Sequence, residues 1–146
     1  MKTLFQMILG CCIILCSCQR PLPEATLLEE ELALFPDYRE VTIPHNIAPL
    51  NFRLRTAEPS ILVLSCGEDQ VRIDTEDAVF QFSEKEWKAF MNKVKGQQVK
   101  ADIYINRNEK WYLTPNFNFE VSNDAIDAYL VYRRIAPGYR MWNEMG

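Results

Sequence analysis

The sequence predicts a small, mainly β domain (α+β) with one amphipathic helix. Several short segments alternate between apolar and polar residues, as strands with one buried face do. A single stretch, residues 83–95, carries the apolar spacing of a helix. Because strands and helices do not alternate along the chain, we expect an antiparallel β-sandwich or a curved sheet with the helix packed across it.

Six or seven strands are predicted after Val41. Residues 51–56 (NFRLRT) alternate, and residues 61–66 form a continuous apolar run of the kind that occupies the centre of a sheet. Gly67 opens a turn, and residues 71–74 return as the second arm of a hairpin. Further short strands are expected at residues 80–82, 99–105, 111–113 and 117–121.

The helix has both of its ends marked in the sequence. Ser83 is an N-cap, and Glu86 three residues later completes a capping box. Gly96 is a typical stop after the last turn. The predicted buried face consists of Trp87, Phe90, Met91 and Val94.

The amino terminus has the pattern of a bacterial lipoprotein leader. One positive charge, Lys2, precedes an apolar core that is too short to span a membrane as a helix. Leu15-Cys16-Ser17-Cys18 then reads as a lipobox, in which the last Cys is lipidated and becomes the new amino terminus. Cys11 is a weaker candidate because cleavage there would leave a very short apolar core. An ordinary signal peptide and an uncleaved anchor are the alternatives.

This pattern divides the chain into three parts. Residues 1–17 are the predicted signal peptide, residues 18–40 a flexible tether, and residues 41–146 a single β-rich domain. The tether is rich in proline and acidic residues, although residues 27–35 have some helical character. Since Gln19 is not Asp, the sequence favours the outer membrane over retention at the inner one, with the periplasmic or surface face left open.

Composition excludes some partners. After removal of Lys2 with the leader, 15 basic and 20 acidic side chains remain, a net charge of −5. An acidic domain is a poor ligand for nucleic acid or for anionic lipid. Once the leader is removed and Cys18 is lipidated, Cys66 is the remaining thiol, so no intrachain disulfide can form. Its apolar surroundings in sequence predict a buried, unreactive thiol.

No catalytic or metal-binding pattern is found in the sequence. His45 is the single histidine, and a zinc site or a general base needs partner groups. The carboxylates at Asp124 and Asp127, and those of residues 74–77, lack the ligand spacing of a calcium loop. We therefore predict no enzyme activity and no cofactor.

Four residues are candidates for binding. Tyr139 and Trp142 belong to an aromatic carboxy-terminal stretch, which suits a protein partner. Asn46 and Asn51 flank an apolar extended segment and either satisfy backbone groups or contact a ligand. Exposed Trp and Tyr rings would instead favour a glycan, but Trp87 and Trp111 are assigned to packing within the helix and a strand.

Two longer segments carry a resemblance to a known family. Residues 42–52 (TIPHNIAPLNF) and residues 126–139 (IDAYLVYRRIAPGY) resemble the opening and the close of the N-terminal domain of TolB-like, WD-repeat-like β-propeller lipoproteins of Gram-negative anaerobes. The family has a Trp-bearing helix at a similar place. In the family, propeller blades follow the closing segment, whereas this sequence stops at Gly146, so we expect a stand-alone or truncated module without a propeller.

Some family features cannot be transferred. The family favours Pro where Ala128 stands, and no C-x-x-C-H sequence is present for covalent haem attachment. We expect a non-catalytic lipoprotein of the cell envelope that serves as an interaction or accessory module. It would bind the membrane through Cys18 and an envelope protein through its carboxy-terminal stretch. The alternative is a glycan-binding module of an envelope system.

Overall fold

In the computed structural model, which describes residues 20–127 together with residues 129 and 131, ten strands and one helix form two sheets with a shared core. The predicted mainly β class with one helix is confirmed. In chain order the elements are β1 (Thr26–Leu27), β2 (Leu34–Phe35), β3 (Thr42–Pro44), β4 (Phe52–Leu54), β5 (Ser60–Cys66), β6 (Asp69–Thr75), β7 (Val79–Phe80), α1 (Glu84–Lys93), β8 (Gln98–Arg107), β9 (Lys110–Leu113) and β10 (Phe117–Ser122).

The long strand β8 is the centre of the larger sheet. Along one side it pairs antiparallel with β5, and β5 pairs in turn with β6. Along the other side β8 pairs with β10 through its first half and with β9 through its second half. The sheet therefore runs from β6 at one edge, through β5 and β8, to β9 and β10.

The larger sheet is mixed, whereas the sequence predicted antiparallel pairing. β1 lies parallel to β9, and β3 lies parallel to β10. Parallel neighbours need a long crossover connection. The chain between β1 and β9, and that between β3 and β10, each contain most of the domain. These parallel pairings can therefore form only once the rest of the sheet is assembled, and the alternation of residues within a strand does not predict them.

A second, three-stranded sheet covers part of the core. β4 lies between β2 and β7, with antiparallel pairing on both sides. The ring of Phe52 in β4 lies 5.0 Å from that of Phe80 and 6.3 Å from that of Phe117 in the larger sheet. Because aromatic pairs at such distances stabilise a contact beyond their buried area, Phe52 joins the two sheets.

The helix α1 begins and ends close to the predicted positions. The Ser83 hydroxyl accepts a hydrogen bond from the Glu86 amide at 3.2 Å, as an N-cap does. Lys88 pairs with Glu84 one turn earlier at 3.5 Å. The four residues predicted to be buried are all buried: Trp87, Phe90, Met91 and Val94.

Trp87 also connects the helix to the segment between β3 and β4. Its side chain is 1% exposed, and its indole N–H donates a hydrogen bond to the Ile47 carbonyl oxygen at 3.0 Å. A buried indole N–H without a partner would cost about 1–3 kcal/mol, so this bond fixes where the segment lies.

The folded domain starts before Val41, which was the predicted first residue of the domain. Residues 26–27 and 34–35 are strands, where a flexible tether or a short helix was expected. Leu34 is buried and pairs with Leu54, and Leu28 and Leu32 pack against the core. Arg39 then pairs with Glu31 and Asp37 and donates to the Leu32 carbonyl. The segment was predicted to be a tether because it is rich in proline and acidic residues, and composition alone does not indicate that its leucines are buried.

Gly96 and Gly67 form a matched pair for testing the turn after the helix. Both have positive φ, +69° and +58°. A Cβ at Gly96 would lie 2.7 Å from Asn123 Nδ2, whereas a Cβ at Gly67 would meet no atom within 4 Å. We expect either Ala substitution to lower the free energy of unfolding by about 1–2 kcal/mol, with the larger loss at Gly96.

Urea unfolding followed by circular dichroism measures this difference. The added substitution Asn123→Ala should remove the excess loss of Gly96→Ala over Gly67→Ala. Equal losses in the two single variants would contradict the proposed steric role of Asn123.

Candidate functional site

A cleft of about 590 Å³ lies along β3 and β10 and is termed the polar cleft here. It is open to solvent. Its lining is dominated by polar side chains, including those of Arg39, Thr42, Gln98, Asn116, Asn118 and Glu120.

The polar cleft has little of the chemistry of a catalytic or sugar-binding site. The guanidinium of Arg39 is engaged by Glu31 and Asp37. The aromatic side chains in the lining, Phe117 and Phe119, are buried in the core, so they present no ring face on which a sugar could stack. Small-molecule sites are usually enclosed and largely apolar. This cleft is neither, and it gives no support to the glycan-binding alternative.

A second cleft, of about 550 Å³, lies on the face of the larger sheet that points away from the core. This face is termed the outer face. Residues paired across antiparallel strands share a face, so the pairings of Val63 with Arg72 and with Asp102, and of Ile61 with Asp74 and with Tyr104, define it. Val63 is 6% exposed although it lies outside the main core cluster.

The beginning of the described chain lies on this outer face. Residues 20–27 are termed the N-terminal segment. Arg20, Pro21 and Leu22 line the same cleft as Val63 and Arg72. The guanidinium of Arg72 donates a hydrogen bond to the Arg20 carbonyl oxygen at 2.5 Å, and it also pairs with Asp74 at 2.8 Å.

No motif in the sequence marks Arg20 or Arg72 as functional. Arg72 occupies an ordinary polar position of an alternating strand. Nothing in the local pattern indicates that its partner stands 52 residues earlier in the chain.

Asn46 and Asn51, two of the candidate binding residues, form hydrogen bonds with backbone groups. Asn46 donates to the Ile126 carbonyl at 2.9 Å and accepts from the Ile126 amide at 2.8 Å. Asn51 accepts from the Phe82 amide at 3.0 Å. Asn46 thereby holds the chain just after β10, and this pair of bonds is termed the Asn46 clasp. Of the two roles considered for these residues, these contacts match the satisfaction of backbone groups.

Beyond the clasp, large apolar side chains are exposed. Ile126, Tyr129 and Val131 are 48%, 86% and 93% exposed. The predicted binding residues Tyr139 and Trp142 lie further along, outside the residues that the structure describes, as does the lipidation candidate Cys18. Trp111 is half-buried in β9, and Trp87 belongs to the core.

Cys66 and His45 are both half-buried, and neither lies in a group of described side chains that could bind a metal ion. Cys66 is half-buried rather than buried as predicted, because it stands at the end of β5, and its thiol donates to Gln97 Oε1 at 3.3 Å. His45 is also half-buried, and its Nδ1 has no hydrogen-bond partner. Within the described part of the chain, no three His, Cys, Asp or Glu residues are grouped so that they could hold a metal ion.

Among the residues that the structure describes, two titratable groups have a shifted pKa, and both shifts have local causes. The hydroxyl of Thr75 and the amide of Val79 donate to the Asp77 carboxylate and lower its pKa. The carboxylate of Glu58, which accepts a hydrogen bond from Arg107 at 2.6 Å, raises the pKa of that guanidinium. Both shifts favour the charged form that each group already has at neutral pH. Neither group is tuned toward proton transfer.

Comparison with known proteins yields no relative. No protein-family model matches the chain, and no curated protein and no solved structure is significantly similar to it. Among the residues that the structure describes, no helix has the length and apolar character needed to cross a membrane.

The Asn46 clasp can be tested by one substitution. Asn46→Asp keeps the acceptor for the Ile126 amide but loses the donor to the Ile126 carbonyl. We expect a loss of about 1 kcal/mol in unfolding free energy and faster hydrogen exchange at the Ile126 amide, measured by NMR. Asn92→Asp, an exposed position on α1, is the control and should leave Ile126 exchange unchanged. Unchanged exchange in Asn46→Asp would refute the clasp.

Proposed function

We propose that this protein is a non-catalytic lipoprotein of the cell envelope, anchored through Cys18, that serves as an interaction or accessory module. The proposal includes a relationship to the N-terminal domain of TolB-like propeller lipoproteins. The observation that carries it is the lipobox Leu15-Cys16-Ser17-Cys18, which follows an apolar leader and stands two residues before folded backbone at Arg20.

The chemistry at this site concerns attachment. Cys18 Sγ attacks the glyceryl carbon of a membrane phospholipid, so that a C–S bond forms, the C–O bond to the phosphate breaks, and the phosphorylated headgroup leaves with the thiol proton. Hydrolysis of the peptide bond before Cys18 then leaves that residue as the amino terminus. Stable anchoring needs more than one acyl chain, and a diacylated or triacylated cysteine provides them. Lipidation therefore leads to lasting membrane attachment.

The side-chain arrangement supports a binding role over a catalytic one. In the described residues, neither the polar cleft nor the outer face places a nucleophile beside a general base. The two perturbed groups, Asp77 and Arg107, are held by local hydrogen bonds. The outer membrane is the proposed location, with its leaflet left open.

The proposed partner surface is the chain that follows the Asn46 clasp. Large apolar side chains that are strongly exposed are typical of interaction sites. Ile126, Tyr129 and Val131 have this character, and Tyr139 and Trp142 extend the same apolar sequence. An envelope protein with an apolar groove fits this chemistry best.

Lipidation can be tested by expressing the chain with its own leader in a Gram-negative host that is fed an alkyne-tagged fatty acid. The wild type should take up the label, and its intact mass should equal that of residues 18–146 plus acyl chains. Cys18→Ser should lose the label and retain the leader.

Cys16→Ser is the matched control, because it changes a neighbouring cysteine of the same lipobox and should be labelled like the wild type. Label that persists in Cys18→Ser, or is lost in Cys16→Ser alone, would refute the assignment of Cys18.

A further inference from the structure

We propose that the outer face around β5 and β6 rests directly against the lipid bilayer, while the Asn46 clasp holds Ile126 near the opposite edge of the larger sheet. The partner of this face is the headgroup region of a phospholipid membrane. This inference rests on the proposed function, because it requires a lipidated Cys18.

The first step concerns distance along the chain. Only Gln19 separates Cys18 from Arg20, so two virtual bonds of 3.8 Å keep their Cα atoms within about 8 Å of each other. A flexible tether of residues 18–40 would instead have an end-to-end distance of about 26 Å. The anchor is therefore held at the surface of the domain.

The second step concerns how firmly the N-terminal segment is held. At its start, Arg72 binds the Arg20 carbonyl. At its end, Thr26 and Leu27 pair with β9, and the Leu28 amide donates to the Leu113 carbonyl at 2.8 Å. Between these points the chain passes from β6 to β9 and so crosses β5 and β8. Lengthening the connection to the membrane would require breaking these bonds.

The third step concerns the two edges of the larger sheet. β6 is one edge, and Arg20 lies against it. β3 lies at the opposite edge, and Asn46, which holds Ile126, follows β3 by two residues. Four strand spacings of about 4.8 Å separate β6 from β3, a distance of about 19 Å. The anchor and the segment after the clasp therefore leave from opposite edges.

The chemistry near the anchor suits a lipid surface. In the cleft that Arg20 lines, Arg72 is paired with Asp74, Arg20 carries a further positive charge, and Leu22 is 44% exposed. Glu68 and Glu76 beside β6 are acidic, and acidic surfaces are repelled by anionic leaflets. We therefore expect Arg20 and Leu22 to make the contact with the headgroups.

Short-range fluorescence quenching can test this orientation on the full lipoprotein in vesicles of phosphatidylethanolamine and phosphatidylglycerol. In a Cys66→Ser background, a fluorophore is attached at Glu68→Cys or Glu76→Cys beside β6, or at Ala48→Cys beside β3, all exposed positions. A quencher carried on a lipid headgroup should quench the first two strongly and the third weakly.

Two variants show whether the N-terminal segment causes this difference in quenching between the β6 and β3 positions. A flexible Gly-Ser insertion of about 20 residues after Gln19 should abolish the difference, since such a linker extends by roughly 25 Å. Arg72→Ala should reduce the difference. Arg53→Ala, an exposed arginine over the Phe35 ring on the smaller sheet, should not.

Vesicle flotation separates the possible failures. A protein that floats but is quenched equally at all three positions, or one whose difference in quenching survives the insertion, would overturn the orientation and leave the proposed function standing. A wild-type protein that does not float would refute the proposed function and the membrane contact together.

Discussion

The structure depends on the pairing of β8 along both of its sides. Its backbone groups are satisfied by β5 on one side and by β10 and β9 on the other. Its alternate residues Val99, Ala101, Ile103 and Ile105 form the floor of the core. A long strand that is apolar on one face from residue 99 to residue 105 and paired along both sides leaves the remaining elements few ways to pack, so the helix and the smaller sheet both close over that floor.

The core continues into parts of the chain that appear polar in sequence. The Trp87 indole N–H donates a hydrogen bond to the Ile47 carbonyl oxygen, and Leu34 is buried where β2 pairs with Leu54. These contacts attach residues 26–50 to the two sheets. The cost of ordering these residues is offset by the burial of Leu28, Leu32 and Leu34 against the core.

This arrangement connects the fold to its proposed role. The polar cleft and the cleft on the outer face are both open to solvent, and the side chains of Asp77 and Arg107 are held by local hydrogen bonds. Near the two limits of the described residues, Arg72 binds the backbone of Arg20 and Asn46 binds the backbone of Ile126. These two contacts lie toward opposite edges of the larger sheet, which is the arrangement that the proposed membrane orientation uses.

The sequence by itself determined the β class, the hairpin of β5 and β6 and the helix with its caps, because each depends on residues within one turn or one strand. It also predicts a lipobox at residues 15–18, a contiguous motif. Only the tertiary structure decided the parallel pairings of β1 and β3, the burial of residues 26–40 and the contacts of Asn46 and Arg72. The parallel pairings and the contacts of Asn46 and Arg72 each join residues more than 50 positions apart, and Leu34 is buried against Leu54, which stands 20 positions later. Local periodicity records which face of an element is buried but not which distant element covers it, and long-range partners of this kind follow only from the assembled core.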